Sequence, residues 1–281
     1  MWKSASGRAA DTDSASAAAK PERPLAPSVP RRSVLVLGAG FVVAPLVEYL
    51  LRRPENSVVV ASIVRSEVEA MAKRYGPNVQ PEVLDITSPE EGPRAAREAL
   101  VKAADLVVSL IPATLHIGIA RLAIQHRKPM VTASYVSEEM QSLDAEATAA
   151  GVLIINEVGL DPGVDHMSAM KMIDTATANG RGRVLGFSSL CGGLPAPEAA
   201  GSSPLGYKFS WSPKGVLVAA RNAARFRHEG QLYEVPGNDL LAHSKPIIMN
   251  NAFAFDVLPN RDSTAFAELY GLAGAPSFFR G

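Results

Sequence analysis

Cysteine is almost missing. The 281 residues hold one, Cys191. An intramolecular disulfide is impossible, a zinc site of cysteines is excluded, and a reducing compartment is the natural setting. An excess of charge of either sign is missing too. Lys+Arg and Asp+Glu both number 28, so the formal net charge is zero. Nucleic acid and anionic membranes call for a concentrated basic surface, and nothing here favours either partner. No apolar run of the chain approaches the ~20 residues needed to span a bilayer. Apolar material is nonetheless plentiful: 47% of residues are hydrophobic against 20% charged, enough for a sizeable core. The length admits two ordinary domains or one large one.

Residues 1–32 are rich in Ala, Ser, Pro and Arg and show no apolar periodicity. They read as a disordered tail or a linker. Asp11, Asp13 and Glu22 count against a transit peptide, since such peptides are poor in acids. Cytosol fits the single cysteine; the mitochondrial matrix is the alternative.

From residue 33 strands and helices alternate. SVLVLGAG (33–40) is a buried-type strand running into a glycine turn, and FVVAPLVEYLLRRP follows with helical spacing. SVVVASIV (57–64), PEVLDIT (81–87), DLVVSLIP (105–112), PMVTASY (129–135) and VLIINEVG (152–159) read as further strands, with helices between them. Strands separated by helices of this length imply right-handed crossovers and a parallel sheet covered on both faces. The expected fold is α/β: a doubly wound Rossmann domain over 33–160. After residue 180 the short runs RVLGFSSL, GVLVA and AFAFDVLP alternate with Gly- and Pro-rich stretches. Residues 161–281 therefore read as an α+β second domain with much loop surface.

Gly38 and Gly40 stand directly between the first strand and the first helix, followed by Phe41 and Val42. Gly38 permits a tight turn, and Gly40 lets backbone approach a pyrophosphate at the helix N-terminus. The third position of the GxGxxG pattern is Val43, so the fingerprint is a variant. The other reading is a structural strand–helix turn without cofactor. Cofactor choice is read at the end of the second strand, where Ile63, Arg65 and Glu67 lie. Arg65 suits a 2′-phosphate, whereas Glu67 suits a ribose hydroxyl. The segment does not decide between NAD and NADP; the working expectation leans slightly to NAD.

The blocks VLVLGAGFVVAP, SLIPATLH (109–116), VTASYVSEEM (131–140), NEVGLDPGVDHM (156–167), CGGLPAPE (191–198), YKFSWSPKGVL (207–217) and PNRDS (259–263) occur in an order that resembles glutamate-forming saccharopine dehydrogenase. The resemblance runs from about residue 33 to the C-terminus and is nearest to the dehydrogenase half of the bifunctional enzyme that also carries lysine-ketoglutarate reductase. It implies an oxidoreductase that takes saccharopine, NAD(P)⁺ and water to glutamate and 2-aminoadipate 6-semialdehyde, and a homodimer. Family members continue past the equivalent of residues 280–281, so the expectation is a C-terminally truncated chain with an incomplete second domain. A non-catalytic nucleotide-binding protein and a reductase for another amino-acid conjugate are the alternatives.

By resemblance, Ser134, Tyr135, Asn260 and Arg261 line the substrate site. Arg221 is a further candidate, because three substrate carboxylates call for guanidinium forks; its other reading is a solvated helix face. Asp161, before Pro162 at the end of the domain's last strand, is a candidate for binding the substrate's ammonium or for proton transfer. His166 is either a general acid/base or a packed first-turn helix residue, and Asp165 is placed to cap that helix. Leu110, Ile111 and Pro112 are expected against the nicotinamide side of the cofactor, and Asp85 and Ile86 against adenine. His116 reads as a helix-surface residue, Lys208 as exposed and Cys191 as structural or cleft-lining. No His–acid cluster at ligand spacing argues for a metal.

Overall fold

Val34, Leu35, Val36 and Leu37 are all buried, and their alternation decides the architecture. Successive side chains of a strand point to opposite faces. Val34 and Val36 enter one apolar cluster with Val43, Val47, Val58 and Val60. Leu35 and Leu37 enter another with Val101, Ile119, Ala120 and Met130. A strand buried on both faces needs helices on both faces, as in a doubly wound sheet. The computed structural model describes residues 30–180, 182–201, 206–209 and 213–281. Most of the tail read over 1–32 lies outside the described residues.

The first part runs β1 (Arg32–Leu37), α1 (Val43–Leu50), β2 (Asn56–Ser62), α2 (Arg65–Tyr75), β3 (Val79–Val83), α3 (Glu91–Ala103), β4 (Leu106–Ser109), α4 (His116–Gln125), β5 (Met130–Thr132), α5 (Glu138–Gln141), α6 (Asp144–Ala150), β6 (Ile154–Ile155) and α7 (Val164–Thr177). Its six strands lie in the order β3-β2-β1-β4-β5-β6, and every pairing is parallel. β1 and β4 are neighbours although two strands separate them in sequence. That is the switch point at which such sheets open a crevice beyond their carboxyl ends.

β7 (Gly186–Ser189), α8 (Pro197–Ala200), α9 (Pro213–Ala219), β8 (Ala224–His228), β9 (Gln231–Val235), β10 (Lys245–Asn250), β11 (Phe253–Val257), α10 (Thr264–Leu269) and β12 (Ser277–Arg280) follow. They make a second sheet, β7-β12-β8-β9, and a separate hairpin, β10-β11. β12 lies inside that sheet, parallel to β7 and antiparallel to β8. Its Phe278 is fully buried with Ala169 and Ile173 of α7 and Ala267 and Tyr270 of the α10 region. This cluster brings α7, which begins beside β6, against β12.

Three expectations on elements are corrected. The strand read over 81–87 is β3 at Val79–Val83, ending before Asp85. It is an edge strand whose extent follows its pairing with Val58–Ser62, and its Pro81 is tolerated because an edge has a free side. The strand read over 152–159 is reduced to Ile154–Ile155. GVLVA lies in helix α9 rather than a strand; short apolar runs do not separate the two by periodicity. Among the described residues no helix is long and apolar enough to cross a membrane.

Candidate active site

The glycine turn opens the site. Gly38 has φ of +104°, and a Cβ there would lie 2.9 Å from the Leu110 carbonyl oxygen. The Leu110 amide in turn donates to the Leu37 carbonyl at 2.8 Å. The turn after β1 and the loop after β4 thus pack backbone against backbone, which only a residue without Cβ allows. Around Gly40 nothing lies within 4 Å of the Cβ position. That open space at the start of α1, whose Val43 amide donates to the Gly40 carbonyl at 3.0 Å, fits a phosphate-bearing ligand. Phe41 and Val42 are exposed beside it.

The other cofactor candidates follow along the same edge. Ile63 is exposed just after β2. Ser62 Oγ accepts from the Val64 amide at 3.3 Å and donates to Glu67 at 3.5 Å. Arg65 is exposed and pairs with Glu69 at 3.4 Å. Asp85 accepts from the Thr87 hydroxyl at 2.6 Å and from its amide at 2.8 Å, and these bonds, the hydroxyl's first, hold its carboxyl below the usual range. Ile86 and Ile111 pack on the core, Leu110 packs on the opposite cluster, and Pro112 is exposed.

The substrate candidates gather at the ends of β5 and β6. The loop 159–163 is drawn tight: the Gly159 amide donates to the Pro162 carbonyl at 2.9 Å, and the Asp161–Pro162 bond is cis. A Cβ on Gly163, at φ +147°, would sit 2.2 Å from the Gly159 carbonyl oxygen. The Gly163 amide donates to Asp165 Oδ1 at 2.8 Å, so Asp165 closes the entry to α7. Within this loop Asp161 faces Tyr135, whose hydroxyl donates to Asp161 Oδ1. Burial, then the bond to Asp161, pushes the Tyr135 phenol well above its ordinary value, so it stays a donor.

Sequence reasoning missed Arg280. Its Nη2 lies 3.5 Å from Asp161 and 2.9 Å from Asp165, and the guanidinium stands 4.0 Å from the Phe266 ring centroid. Burial is the largest single influence on Arg280 and opposes its charge, but Tyr135, Asp161 and Tyr270 together outweigh it. Tyr270, also missed, bonds His166 Nδ1 through its hydroxyl. His166 stacks on Phe266 at 5.4 Å. Its Nε2 has no hydrogen-bond partner, although Glu157 and Asp165 carboxylate oxygens lie 3.8 and 3.9 Å away. Arg261 reaches within 6.0 Å of the Tyr135 ring centroid, and the Asn260 amide donates to the Arg280 carbonyl at 2.9 Å.

Not every candidate joins this group. Arg221 lies exposed in the turn after α9, and among the described residues no side-chain hydrogen bond or ion pair joins it to the cluster. Lys208 is exposed. Cys191 borders a cleft with Leu160, Asp165, Ser188 and Met172; desolvation, then Asp161, raises its thiol and disfavours a thiolate nucleophile. Among the described residues no group of three His, Cys, Asp or Glu side chains is placed to hold a metal. His116 is a correction. It is buried, not on a helix surface, because hydroxyls of Ser109, Thr132 and Ser134 surround its ring.

Residues 34–155 match the family model described as the saccharopine dehydrogenase NADP binding domain, and residues 159–281 match the saccharopine dehydrogenase C-terminal domain. The chain belongs to the saccharopine dehydrogenase family. Saccharopine dehydrogenase [NADP(+), L-glutamate-forming] of Schizosaccharomyces pombe is 44% identical over 249 residues, 89% of this chain and 54% of that protein. Alpha-aminoadipic semialdehyde synthase, mitochondrial, of Mus musculus is 40% identical over 89% of this chain and 26% of its own length. The solved structure of apo histidine-tagged saccharopine dehydrogenase (L-Glu forming) from Saccharomyces cerevisiae is 40% identical. It has a TM-score of 0.79 and covers 89% of this chain and 54% of that one. The chain therefore spans about half the length of these fungal saccharopine dehydrogenases. The lean towards NAD is not supported: the matching domain is an NADP-binding one and the fungal relatives carry NADP(+) in their names. No acid stands at the end of β2, where Ser62 is its last residue and Ile63 follows, so the ribose-reading carboxylate on which NAD preference rests is missing there.

Proposed function

We propose that this chain oxidises saccharopine with NADP⁺ and water, giving glutamate and 2-aminoadipate 6-semialdehyde. The observation that supports this reading is the joining of Tyr135, Asp161 and Arg280 at the carboxyl edge of the sheet whose β1 turn leaves open space at Gly40. Nucleotide binding falls to 33–160, and substrate binding to 161–281 together with Ser134 and Tyr135 at the end of β5. Gly38, Gly40, Phe41 and Val42 border the pyrophosphate. Ser62 and Arg65 supply a hydroxyl and a guanidinium for the 2′-phosphate, with Glu67 beside them as the opposing charge. Asp85 and Ile86 border adenine, and Leu110, Ile111 and Pro112 flank the nicotinamide.

NADP⁺ held by these residues would supply the hydride acceptor for the carbon bearing the substrate's secondary amine. Asp161 presents a carboxylate to that amine. Tyr135 and Arg280 occupy one of its oxygens, which fixes its orientation and leaves the other oxygen for the substrate. Before hydride leaves, the carboxylate draws the ammonium proton and releases it to solvent; afterwards, again unprotonated, it holds the water that attacks the imine carbon, takes a proton from it and returns that proton to the departing glutamate nitrogen. His166, aligned by Tyr270, carries a buried, unpartnered Nε2 near the Asp165 and Glu157 carboxylates as a second proton station. Ser134, Asn260 and Arg261 hold substrate carboxylates by hydroxyl, amide and guanidinium donors.

The test is a spectrophotometric assay of the purified chain with saccharopine and either NADP⁺ or NAD⁺. Formation of reduced NADP that requires saccharopine, with glutamate as a product, is the expected result. Tight NADP⁺ binding without saccharopine-dependent reduction would overturn the proposal and leave a nucleotide-binding protein.

A further inference from the structure

Outside the substrate cluster, one buried titratable side chain is bonded on both ends of its ring. His116, at the start of α4, is 2% exposed. Its Nδ1 lies 2.9 Å from Ser109 Oγ, on the last residue of β4. Its Nε2 lies 3.0 Å from Thr132 Oγ1, on the last residue of β5, and 2.8 Å from Ser134 Oγ just beyond. Thr132 Oγ1 also accepts from the Ser134 amide at 3.2 Å, and the Ser134 carbonyl accepts from the Glu157 amide at 3.1 Å.

We propose that His116 is a positioning residue whose imidazole fixes the end of β5, and with it Tyr135, relative to the end of β4. The inference rests on the functional reading above, in which the β4 end flanks the nicotinamide and the β5 end carries the substrate residues. The path is continuous: Gly38 meets the Leu110 backbone, Ser109 precedes Leu110, His116 bridges Ser109 to Ser134, and Tyr135 bonds Asp161. β4 and β5 are joined by three residue pairs and end together at Ser109 and Thr132. The pairing stops there, and beyond it the ring joins the two strand ends. Burial lowers the basicity of His116, which favours the neutral ring. A neutral imidazole has one donor and one acceptor, which suits hydroxyls on both sides because a hydroxyl takes either role.

Three substitutions separate this role from packing. In H116Q the amide reaches the position of Nε2 and keeps a partner for Thr132 and Ser134. In H116N it reaches only the position of Nδ1 and keeps Ser109. H116F fills the space and keeps neither. Two readouts apply: hydrogen–deuterium exchange of residues 130–136 in the ligand-free chain, and kcat and KM for saccharopine beside the Kd for NADP⁺. We expect faster exchange at 130–136 in H116N and H116F and near-wild-type exchange in H116Q. The same two variants should show a saccharopine KM raised about tenfold, the worth of one hydrogen bond, with little change in NADP⁺ binding. Equal exchange in all four proteins, or H116Q as impaired as H116F, would overturn the inference. Should H116F not fold, the contrast of H116Q with H116N decides. A wild-type chain that does not oxidise saccharopine defeats the functional reading, while the exchange pattern still decides the role of His116.

Discussion

Arg280 and Asp165 meet at 2.9 Å with only 7% and 9% of their side chains exposed. The same guanidinium nitrogen reaches Asp161 at 3.5 Å, so one cation answers two carboxylates inside the fold. Removing one partner of a buried pair leaves the other charge uncompensated, which costs about 3–5 kcal/mol. R280Q should lower the unfolding free energy of the chain, read from urea titration, by an amount in that range. It should also loosen Asp161. D165N, which leaves Arg280 its bond to Asp161, should cost less. Equal loss in the two variants would show that Arg280 does not hold both carboxylates together.

Asp161 has a different expected signature. D161N keeps an oxygen to accept from Tyr135 but removes the charge and the basicity. Turnover with saccharopine should fall about 10²–10⁴-fold, the usual worth of a positioned acid/base, with the Kd for NADP⁺ unchanged. Steady-state kinetics beside nucleotide titration would check the split. A D161N protein with wild-type kcat would reassign the proton transfer to His166.

Two glycines two residues apart should respond in opposite ways. At Gly38 the backbone is left-handed and a Cβ would press on the Leu110 carbonyl. G38A should lose about 1–3 kcal/mol of stability. At Gly40 the Cβ position is empty. G40A should melt with the wild type and yet bind NADP⁺ more weakly, because the methyl takes space assigned to the pyrophosphate. Thermal melts with and without nucleotide distinguish the two. A G40A protein with unaltered NADP⁺ affinity would move the pyrophosphate away from this turn.

Arg65 and Ser62 give the cofactor prediction. One charge-assisted hydrogen bond is worth about 1.5–3 kcal/mol. R65A should therefore cut the preference for NADP⁺ over NAD⁺ about tenfold to a hundredfold, chiefly through a weaker Kd for NADP⁺. Arg65 is exposed, so the effect should shrink in high salt. An unchanged ratio of the two Kd values in R65A would remove Arg65 from phosphate recognition.

What the sequence made legible follows from which interactions are local. VLVL before Gly38 carries its own burial pattern on both faces, from which the covered parallel sheet and its glycine turn follow, while the place of Asp161 is read from the apolar run just before it. Arg280 was invisible for the opposite reason. Its burial depends on β12 pairing between β7 and β8, and its partner Asp161 is 119 residues away. Nothing near residue 280 announces that. His116 misled because a histidine at a helix start is ordinary on a surface. Its signal was a set of hydroxyl residues, Ser109, Thr132 and Ser134, at adjacent strand ends. Reading that signal requires the strand order first. Arg221 shows the converse: an arginine suited in type to carboxylate recognition, for which no side-chain bond to the cluster is seen among the described residues.

The environment of His116 also fixes the sign of a pH effect. Desolvation lowers its pKa from the ordinary 6.5, so the unfolded chain takes up the proton first. The stability this residue contributes is fully present above the unfolded pKa and is lost as pH falls through the depressed folded one. The groups bonded to the ring are hydroxyls, which offer no anion to hold a charged imidazole. The urea midpoint of the wild-type chain should therefore decline as pH drops below 6.5. In H116Q, which has nothing to protonate there, the decline should be shallower over that window, and the two curves should run parallel above it. Curves parallel throughout would mean that His116 titrates alike in the folded and unfolded chain, and that the ring is neither dry nor held neutral by its hydroxyl partners.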